Sequence, residues 1–148
     1  MIICDTREKA NQRILQYFDA HKIPYVNQKL ETGDYMESEK MNVTIDRKQN
    51  LGELLRNMCS PDKSRFWREI RRSQKERIKF IILCEHGGKY KTIKDVAEYK
   101  DKYSKVSGRE LMDRMYAAHI AYGVEFLFCD KRSTGKRIAE LLGCDGYD

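Results

Sequence analysis

The stretch 25–48 reads YVNQKLETGDYMESEKMNVTIDRK, and it decides the fold prediction because it describes two strands joined by a polar turn. Residues 25–36 alternate well enough for a strand, with Gly33 as a bend. A β-branched run, Val-Thr-Ile, begins the second strand. We therefore predict a hairpin of these two strands, which brings Asp34 close to Asp46.

The hairpin gathers side chains that can hold a divalent cation beside a phosphodiester. Mg²⁺ prefers oxygen ligands, which Asp34, Asp46 and the backbone carbonyl of Arg47 could supply, and a bound cation activates water and neutralises charge on phosphate. Because side chains alternate along a strand, Asp46 and Lys48 face one way and Arg47 the other. Lys48 would then lie beside the water or the phosphate. On this spacing alone, a solvated strand end after an ordinary Gly-Asp turn explains the residues equally well.

Helices and strands alternate along the rest of the chain. Apolar residues recur at helical spacing in five segments, and short apolar runs mark three more strands. The predicted helices are 9–22, 51–58, 64–79, 108–122 and a last one that begins at Ser133 or Thr134 and ends at Gly143; the strands are 2–4, 80–84 and 124–129. A short helix is also expected to start at Thr92. This order predicts an α/β fold, a mixed sheet flanked by helices, in one domain spanning residues 1–148.

The composition is that of a globular chain, with 35% charged and 41% hydrophobic residues. The longest strongly apolar run, Phe80–Cys84, is too short to span a bilayer, and no signal peptide is expected at the N-terminus. Five cysteines without CxxC spacing argue against a disulfide framework or a zinc site. They favour a reducing, intracellular compartment: the cytoplasm or nucleoid, or the host cytoplasm if the protein is viral.

Three short motifs follow one another in the sequence: Asp5-Thr6-Arg7-Glu8, Gly33-Asp34 and Val43-Thr44-Ile45-Asp46-Arg47-Lys48. Together they resemble the PD-(D/E)xK nuclease superfamily, and within it the XPF/Hef-type structure-specific endonucleases. The resemblance covers nearly the whole chain and implies a restriction-endonuclease-like mixed central sheet flanked by helices. It further implies an endonuclease that uses Mg²⁺ or Mn²⁺ to hydrolyse phosphodiester bonds in branched DNA, such as a flap, fork or junction.

The resemblance also implies a role for each matched residue. The metal ligands would be Asp34 and Asp46, with the backbone carbonyl of Arg47, and Asp5 would be a further carboxylate near the metal. Lys48 would be the catalytic lysine. The implied supporting residues, which hold the site or contact phosphate, are Arg7, Glu8 and Arg47.

Two departures from the family pattern concern the acidic residues. Asp46 stands where the family usually has Glu, which withdraws the carboxylate by one methylene. The family's downstream aspartate falls on Gly52. The nearest acid, Glu53, lies opposite the apolar stripe of its helix, so we expect a solvated residue there.

Positive charge is concentrated in one segment. The net charge is +6, and eight basic against three acidic residues between Asp62 and Lys79 account for +5 of it, which favours an anionic partner. Helical spacing aligns basic side chains that could follow a DNA backbone, with a solvated face as the alternative. These residues are Arg65, Arg68, Arg72, Lys75 and Lys79. Within the irregular stretch 87–107, the Lys/Tyr-rich loop from Lys89 to Lys105 could also contact DNA through a stacked tyrosine, or be disordered without function.

Cellular members of the resembled family append a tandem helix-hairpin-helix module and pair through their later helices. The chain ends at Asp148, so we expect a member with the nuclease domain alone, such as a phage or mobile element would encode. A homodimer would use the two C-terminal helices, unless their apolar faces fill the monomer core. Those faces are Leu111/Met115/Ala118/Tyr122 and Ile138/Leu141/Leu142.

Two other functions remain open at this stage. A non-catalytic DNA-binding subunit with a degenerate nuclease fold would keep the scaffold and lose the chemistry, although Asp34, Asp46 and Lys48 are all present. A Holliday-junction resolvase of the same superfamily would differ in its substrate.

Overall fold

Six strands form one mixed sheet, in the order β2-β1-β3-β4-β5-β6, within the part of the chain that the computed structural model describes, residues 1–59 and 63–145. The strands are β1 (Ile2–Cys4), β2 (Tyr25–Asn27), β3 (Tyr35–Glu37), β4 (Lys40–Lys48), β5 (Lys79–Cys84) and β6 (Glu125–Phe128). The pairs β1–β3 and β3–β4 are antiparallel, whereas β1–β2, β4–β5 and β5–β6 are parallel. The predicted mixed α/β sheet is confirmed.

Five α-helices cover the two faces of this sheet in the described ranges. They are α1 (Gln12–Ala20), α2 (Leu51–Cys59), α3 (Lys63–Lys75), α4 (Gly108–Tyr122) and α5 (Thr134–Leu141), and a 3₁₀ helix spans Ile93–Glu98. The limits of α4 follow from local chemistry. The Ser107 hydroxyl accepts a hydrogen bond from the Glu110 N–H at 3.1 Å, and Gly123 ends the helix in the left-handed region at φ 70°.

The sheet separates two apolar cores, because neighbouring residues of a strand point to opposite faces. On one face, Phe80 and Ile82 of β5 pack with α2, α3 and α4; on the other, Ile81 and Leu83 pack with α1 and α5. Strand β5 is therefore buried on both sides, which explains its continuous apolar sequence. On β4, Asp46 and Lys48 share the face of α2 and α3, while Arg47 points toward α1 and α5.

Three predicted elements were wrong in their limits. The helix predicted over 9–22 spans only Gln12–Ala20. The single strand 25–36 is two strands, β2 and β3, which lie on opposite sides of β1. The basic helix ends at Lys75 rather than at 79, because Arg77 adopts a left-handed conformation (φ 60°) that turns the chain into β5. The predicted break at Ser60–Asp62 lies outside the described residues.

The apolar faces expected at a dimer interface belong largely to the monomer core. Leu111, Met115, Ala118 and Ile138 are fully buried within the single chain. The larger apolar side chains that α4 does expose are Tyr116 and Ile120. A homodimer through the C-terminal helices stays a prediction, and it would have to use other residues than those four.

The helices of the described residues were also compared with the requirements of a bilayer. None of them combines the length and the apolar character that a membrane span needs.

Candidate active site

Asp34 is held between β1 and β4 by its backbone. Its N–H donates to the Ile45 carbonyl at 2.8 Å, and its own carbonyl accepts from the Asp5 N–H at 2.8 Å. These bonds extend β3 by one residue toward the end of β4. The carboxylate of Asp34 then accepts the Arg47 backbone N–H at 2.8 Å, which fixes it beside Asp46.

The conformation that places Asp34 there requires glycine at the preceding position. Gly33 has φ +73°, and a Cβ atom at this residue would lie 2.0 Å from the Thr44 hydroxyl oxygen. The Thr44 hydroxyl itself donates to the Thr32 carbonyl at 2.7 Å. The bend predicted at Gly33 is thus a left-handed turn whose backbone lies directly against the Thr44 side chain.

The carboxyl groups of Asp34 and Asp46 lie close enough together for the charge of one to act on the other. Burial, and then the charge of Asp46, raise the pKa of Asp34 well above its ordinary value of 3.8. Two acids so placed cannot both be ionised without a neighbouring positive charge. The pair therefore fits a divalent cation in charge and in ligand type, since hard cations prefer carboxylate oxygens.

Lys48 supplies a fixed positive charge at this site. Its ammonium lies 3.2 Å from a carboxylate oxygen of Asp46 and 5.9 Å from the centre of the Phe66 ring on α3. Burial by itself would lower the pKa of Lys48, but Asp46, Glu53 and Asp34 outweigh it and raise that pKa above 10.5. The neighbouring carboxylates therefore favour the charged form of Lys48, whose ammonium is paired with Asp46.

A cleft of about 480 Å³ opens over the acid pair. One wall comes from α3, which contributes three arginines, and the opposite wall comes from the loops after β1 and before β3. The lining residues are Asp5, Arg7, Glu31, Gly33, Asp34, Asp46, Arg65, Arg68, Glu69 and Arg72. The cleft thus brings positive charge to the mouth and carboxylates to the floor.

Glu69 is a cleft residue that the sequence analysis did not single out. Its carboxylate accepts the Gly33 N–H at 2.8 Å, so α3 is joined directly to the turn that carries Asp34. Burial, and then Asp46, raise the pKa of Glu69. The available signal was its position as the acid between Arg68 and Arg72 on an otherwise basic face.

Asp5 and Arg7 hold the loop that precedes Asp34. One Asp5 carboxylate oxygen accepts the Leu30 N–H at 2.8 Å, and the other accepts the Arg7 guanidinium at 2.8 Å. The same guanidinium donates to the Leu30 carbonyl at 2.9 Å. Burial would raise the pKa of Asp5, but the hydrogen bonds from Arg7 and Leu30 outweigh it and lower that pKa. Both residues line the cleft; the metal-ligand role of Asp5 stays a prediction.

Arg47 and Glu8 support the site from the far side of the sheet. The buried Arg47 guanidinium donates to Glu8 and to Glu85, each at 2.8 Å, and to the Lys9 carbonyl at 2.6 Å. Glu85 accepts in turn from the Thr134 hydroxyl of α5. The sequence analysis missed Glu85 as a partner of Arg47, and its only signal was an acid directly after a buried strand.

Only part of the predicted basic face of the helix lines the cleft. Arg65, Arg68 and Arg72 line the cleft, whereas Lys75 is exposed at the helix end and is not part of the cleft wall. Lys79 belongs to β5, where its ammonium lies 2.6 Å from Glu125. Including Lys79 in the helical face was therefore wrong.

The site has too few carboxylates to complete the coordination of a metal ion by themselves. Across residues 1–59 and 63–145, no three side chains of His, Cys, Asp or Glu converge as a metal-binding group. Glu53 is not among the cleft-lining residues: its carboxylate accepts the Gln49 N–H at 2.9 Å at the start of α2, and its charge helps to raise the pKa of Lys48. Any bound cation would complete its coordination with backbone, water or substrate oxygens.

Comparison with known proteins places this geometry in a family. The family model described as "ERCC4 domain" matches residues 4–141. Two similar solved structures are XPF from Aeropyrum pernix (16% identity, TM-score 0.71) and XPF from Aeropyrum pernix in complex with DNA (17% identity, TM-score 0.72). They cover 95% and 96% of this chain, and the chain spans 62% of the length of each. No curated protein matches. At these identities the structural likeness is one of fold.

Proposed function

Since the chain belongs to the ERCC4 domain family, we propose that it is a metal-dependent endonuclease that hydrolyses phosphodiester bonds in branched DNA. The observation that carries this proposal is the pairing of Asp34 with Asp46 beside the protonated Lys48, on the floor of an arginine-lined cleft. The similarity to an XPF structure that contains DNA supports the substrate class.

The cation that best suits the acid pair is Mg²⁺ or Mn²⁺. Asp34 and Asp46 would hold it, with the Arg47 carbonyl as a further oxygen. When bound, such a cation activates water and offsets the negative charge that develops on phosphate.

The chain's own residues account for binding and orientation. Arg65, Arg68 and Arg72 lie where a DNA backbone in the cleft would meet them, and their guanidinium groups suit phosphate oxygens. Lys48 directs a buried ammonium at the reacting phosphate, where it stabilises developing charge. The Arg47 N–H and the Asp5–Arg7 pair keep Asp34 in place.

A panel of end-labelled substrates tests the proposal. Flap, fork, four-way junction and linear DNA would be incubated with wild type, Asp46→Asn and Lys48→Ala, with and without Mg²⁺ or Mn²⁺. We expect metal-dependent cleavage of a branched substrate by wild type, and loss of cleavage with retained binding and folding in both variants. Asp113→Asn, on the exposed side of α4, is the matched control. Undiminished cleavage by both site variants would overturn the assignment.

A non-catalytic DNA-binding subunit is the second candidate. It is favoured by Gly52, which stands where the resembled pattern has an acid, and by the lack of a third metal-ligating side chain in the described residues. Binding to the panel without any metal-dependent product would support it. Symmetric nicks confined to the four-way junction would instead identify a Holliday-junction resolvase.

A further inference from the structure

The segment Tyr99–Ser107 is an ordered loop with its own hydrogen bonds. Lys100 and Ser107 close it as an antiparallel bridge. One carboxylate oxygen of Asp101 accepts the Tyr99 hydroxyl at 2.6 Å, and the other accepts the Tyr103 N–H at 3.0 Å. These bonds give the loop a defined conformation of its own.

The loop presents one aromatic ring to solvent. The Tyr103 side chain is 83% exposed, whereas Tyr90 is buried and Tyr99 packs edge-on against it, 6.1 Å between ring centres. The Lys102 ammonium lies 5.7 Å from the centre of the Tyr103 ring. Leaving so much apolar ring surface in water forgoes the stabilisation that burial would give.

Lysines surround the exposed ring on its own loop. Lys100, Lys102 and Lys105 are all exposed, within three residues of Tyr103. An aromatic ring offers a stacking surface to any nucleobase, and adjacent ammonium groups offer contacts to the phosphates on either side. This combination is complementary to a single-stranded nucleic acid in both chemistry and charge.

The base of the loop is docked against the segment that follows Lys48. A Cβ atom at Gly52 would lie 3.0 Å from an Asp101 carboxylate oxygen and 3.1 Å from the Tyr99 hydroxyl. Any larger residue at Gly52 would push the Asp101 carboxylate and the Tyr99 hydroxyl away from the first turn of α2 by a few tenths of an ångström. Gly52, where the resembled pattern has an aspartate, is thus the contact point between α2 and the loop, and it lies four positions after Lys48.

We propose that Tyr103 stacks on an unpaired base of the branched DNA while Lys100, Lys102 and Lys105 bind the adjoining phosphates. The substrate in this inference, branched DNA, rests on the proposed function. The loop would bind the single-stranded arm of that substrate. The paired part of the substrate would lie along the arginines of α3. The short connection from Lys48 to Gly52 ties the two regions together.

Equilibrium binding in metal-free buffer tests this inference without requiring cleavage. The probes are a fork with 2-aminopurine at the first unpaired positions and a blunt duplex of the same length. We expect Tyr103→Ala to weaken fork binding roughly 5- to 150-fold, the range set by loss of one stacked base, and to leave duplex binding unchanged. Tyr103→Phe should bind the fork like wild type. Wild type and Tyr103→Phe should quench 2-aminopurine fluorescence, and Tyr103→Ala should not.

Tyr116→Ala is the matched control, because Tyr116 is an exposed tyrosine on α4 outside the loop. Thermal melting would verify that each variant is folded. Wild-type affinity of Tyr103→Ala for the fork, or an equal loss for fork and duplex, would overturn the inference. Because these measurements do not depend on hydrolysis, they separate failure of the stacking site from failure of the nuclease assignment.

Discussion

The carboxyl group of Asp46 lies close enough to that of Asp34 to raise its pKa, although the two residues are twelve positions apart in the chain. The Arg47 N–H binds one side of Asp34, and the Lys48 ammonium binds Asp46. This arrangement concentrates negative charge where a cation or a phosphate-bound cation would relieve it. The same crowding of carboxylates lowers the free energy of unfolding of the metal-free protein when both acids are ionised.

Asp34→Asn should stabilise the metal-free protein at neutral and higher pH. The raised native pKa means that Asp34 stabilises the fold below its ordinary pKa of 3.8, and that this contribution is lost as pH rises through the native value. Each unit of that rise corresponds to about 1.4 kcal/mol, and Tm should increase by about 2–4 °C per kcal/mol. Asparagine can still accept the Arg47 N–H.

Thermal unfolding across a pH series, with chelator and then with Mn²⁺, would measure this effect. The variant should gain on wild type as pH rises in chelator, whereas Mn²⁺ should raise only the wild-type Tm. A wild type that is at least as stable as the variant at pH 8 without metal would contradict the charge conflict between Asp34 and Asp46.

Gly33→Ala should destabilise the protein by about 2–6 kcal/mol and abolish cleavage. The substitution combines a left-handed backbone with a Cβ placed 2.0 Å from the Thr44 hydroxyl oxygen. Gly123→Ala is the control, because its φ of +70° is similar but no atom lies within 4 Å of the added Cβ. It should cost only about 1 kcal/mol. Equal urea midpoints for the two variants would show that the contact at Thr44 is unimportant.

Glu69 should act as a positioning residue for the Asp34 turn. Glu69→Gln keeps an oxygen acceptor for the Gly33 N–H, so its cleavage rate should stay within a few-fold of wild type. Glu69→Ala leaves that N–H without its partner, which should cost about 1–3 kcal/mol and lower the cleavage rate. A Glu69→Gln variant as inactive as Asp46→Asn would instead show that the negative charge itself is required.

Arg47→Ala should be among the most destabilising substitutions, at about 3–5 kcal/mol. Removing the guanidinium leaves Glu8 and Glu85 buried without their counter-charge. Arg137→Ala is the surface comparison, since its pair with Glu140 is half-exposed and 3.7 Å long, and it should change stability by less than about 1 kcal/mol. Denaturant unfolding of both variants checks the difference, which should vanish if the buried network is energetically neutral.

Short-range patterns in the sequence predicted much of this structure. The hairpin and the alternation along β4 placed Asp46 and Lys48 on one face and Arg47 on the other, because a strand's period of two is a local property. The three motifs are also local, since each is a run of consecutive residues, and their order along the chain identified the family. The end of α3 was not visible, because Arg77 turns the chain in a left-handed conformation where neither Gly nor Pro marks the position.

Contacts between distant residues were beyond the reach of those patterns. Glu69 reaches Gly33 across 36 positions, and Glu85 reaches Arg47 across 38. Neither residue has a local spacing that distinguishes it from a solvated acid. The division of residues 25–36 into two strands was hidden in the same way, since alternation gives the faces of a strand and not its partners.

Arg47 has one further consequence for how this protein can change over evolutionary time. Its backbone N–H donates to the Asp34 carboxylate on the cleft side, and its guanidinium donates to Glu8 and Glu85 on the other side. Glu85 also accepts a hydrogen bond from Thr134 of α5. We expect substitutions around α5 to reach the reacting groups through this single residue. The rate of the proposed reaction would then drift with mutations on the face of the sheet opposite the arginine-lined cleft.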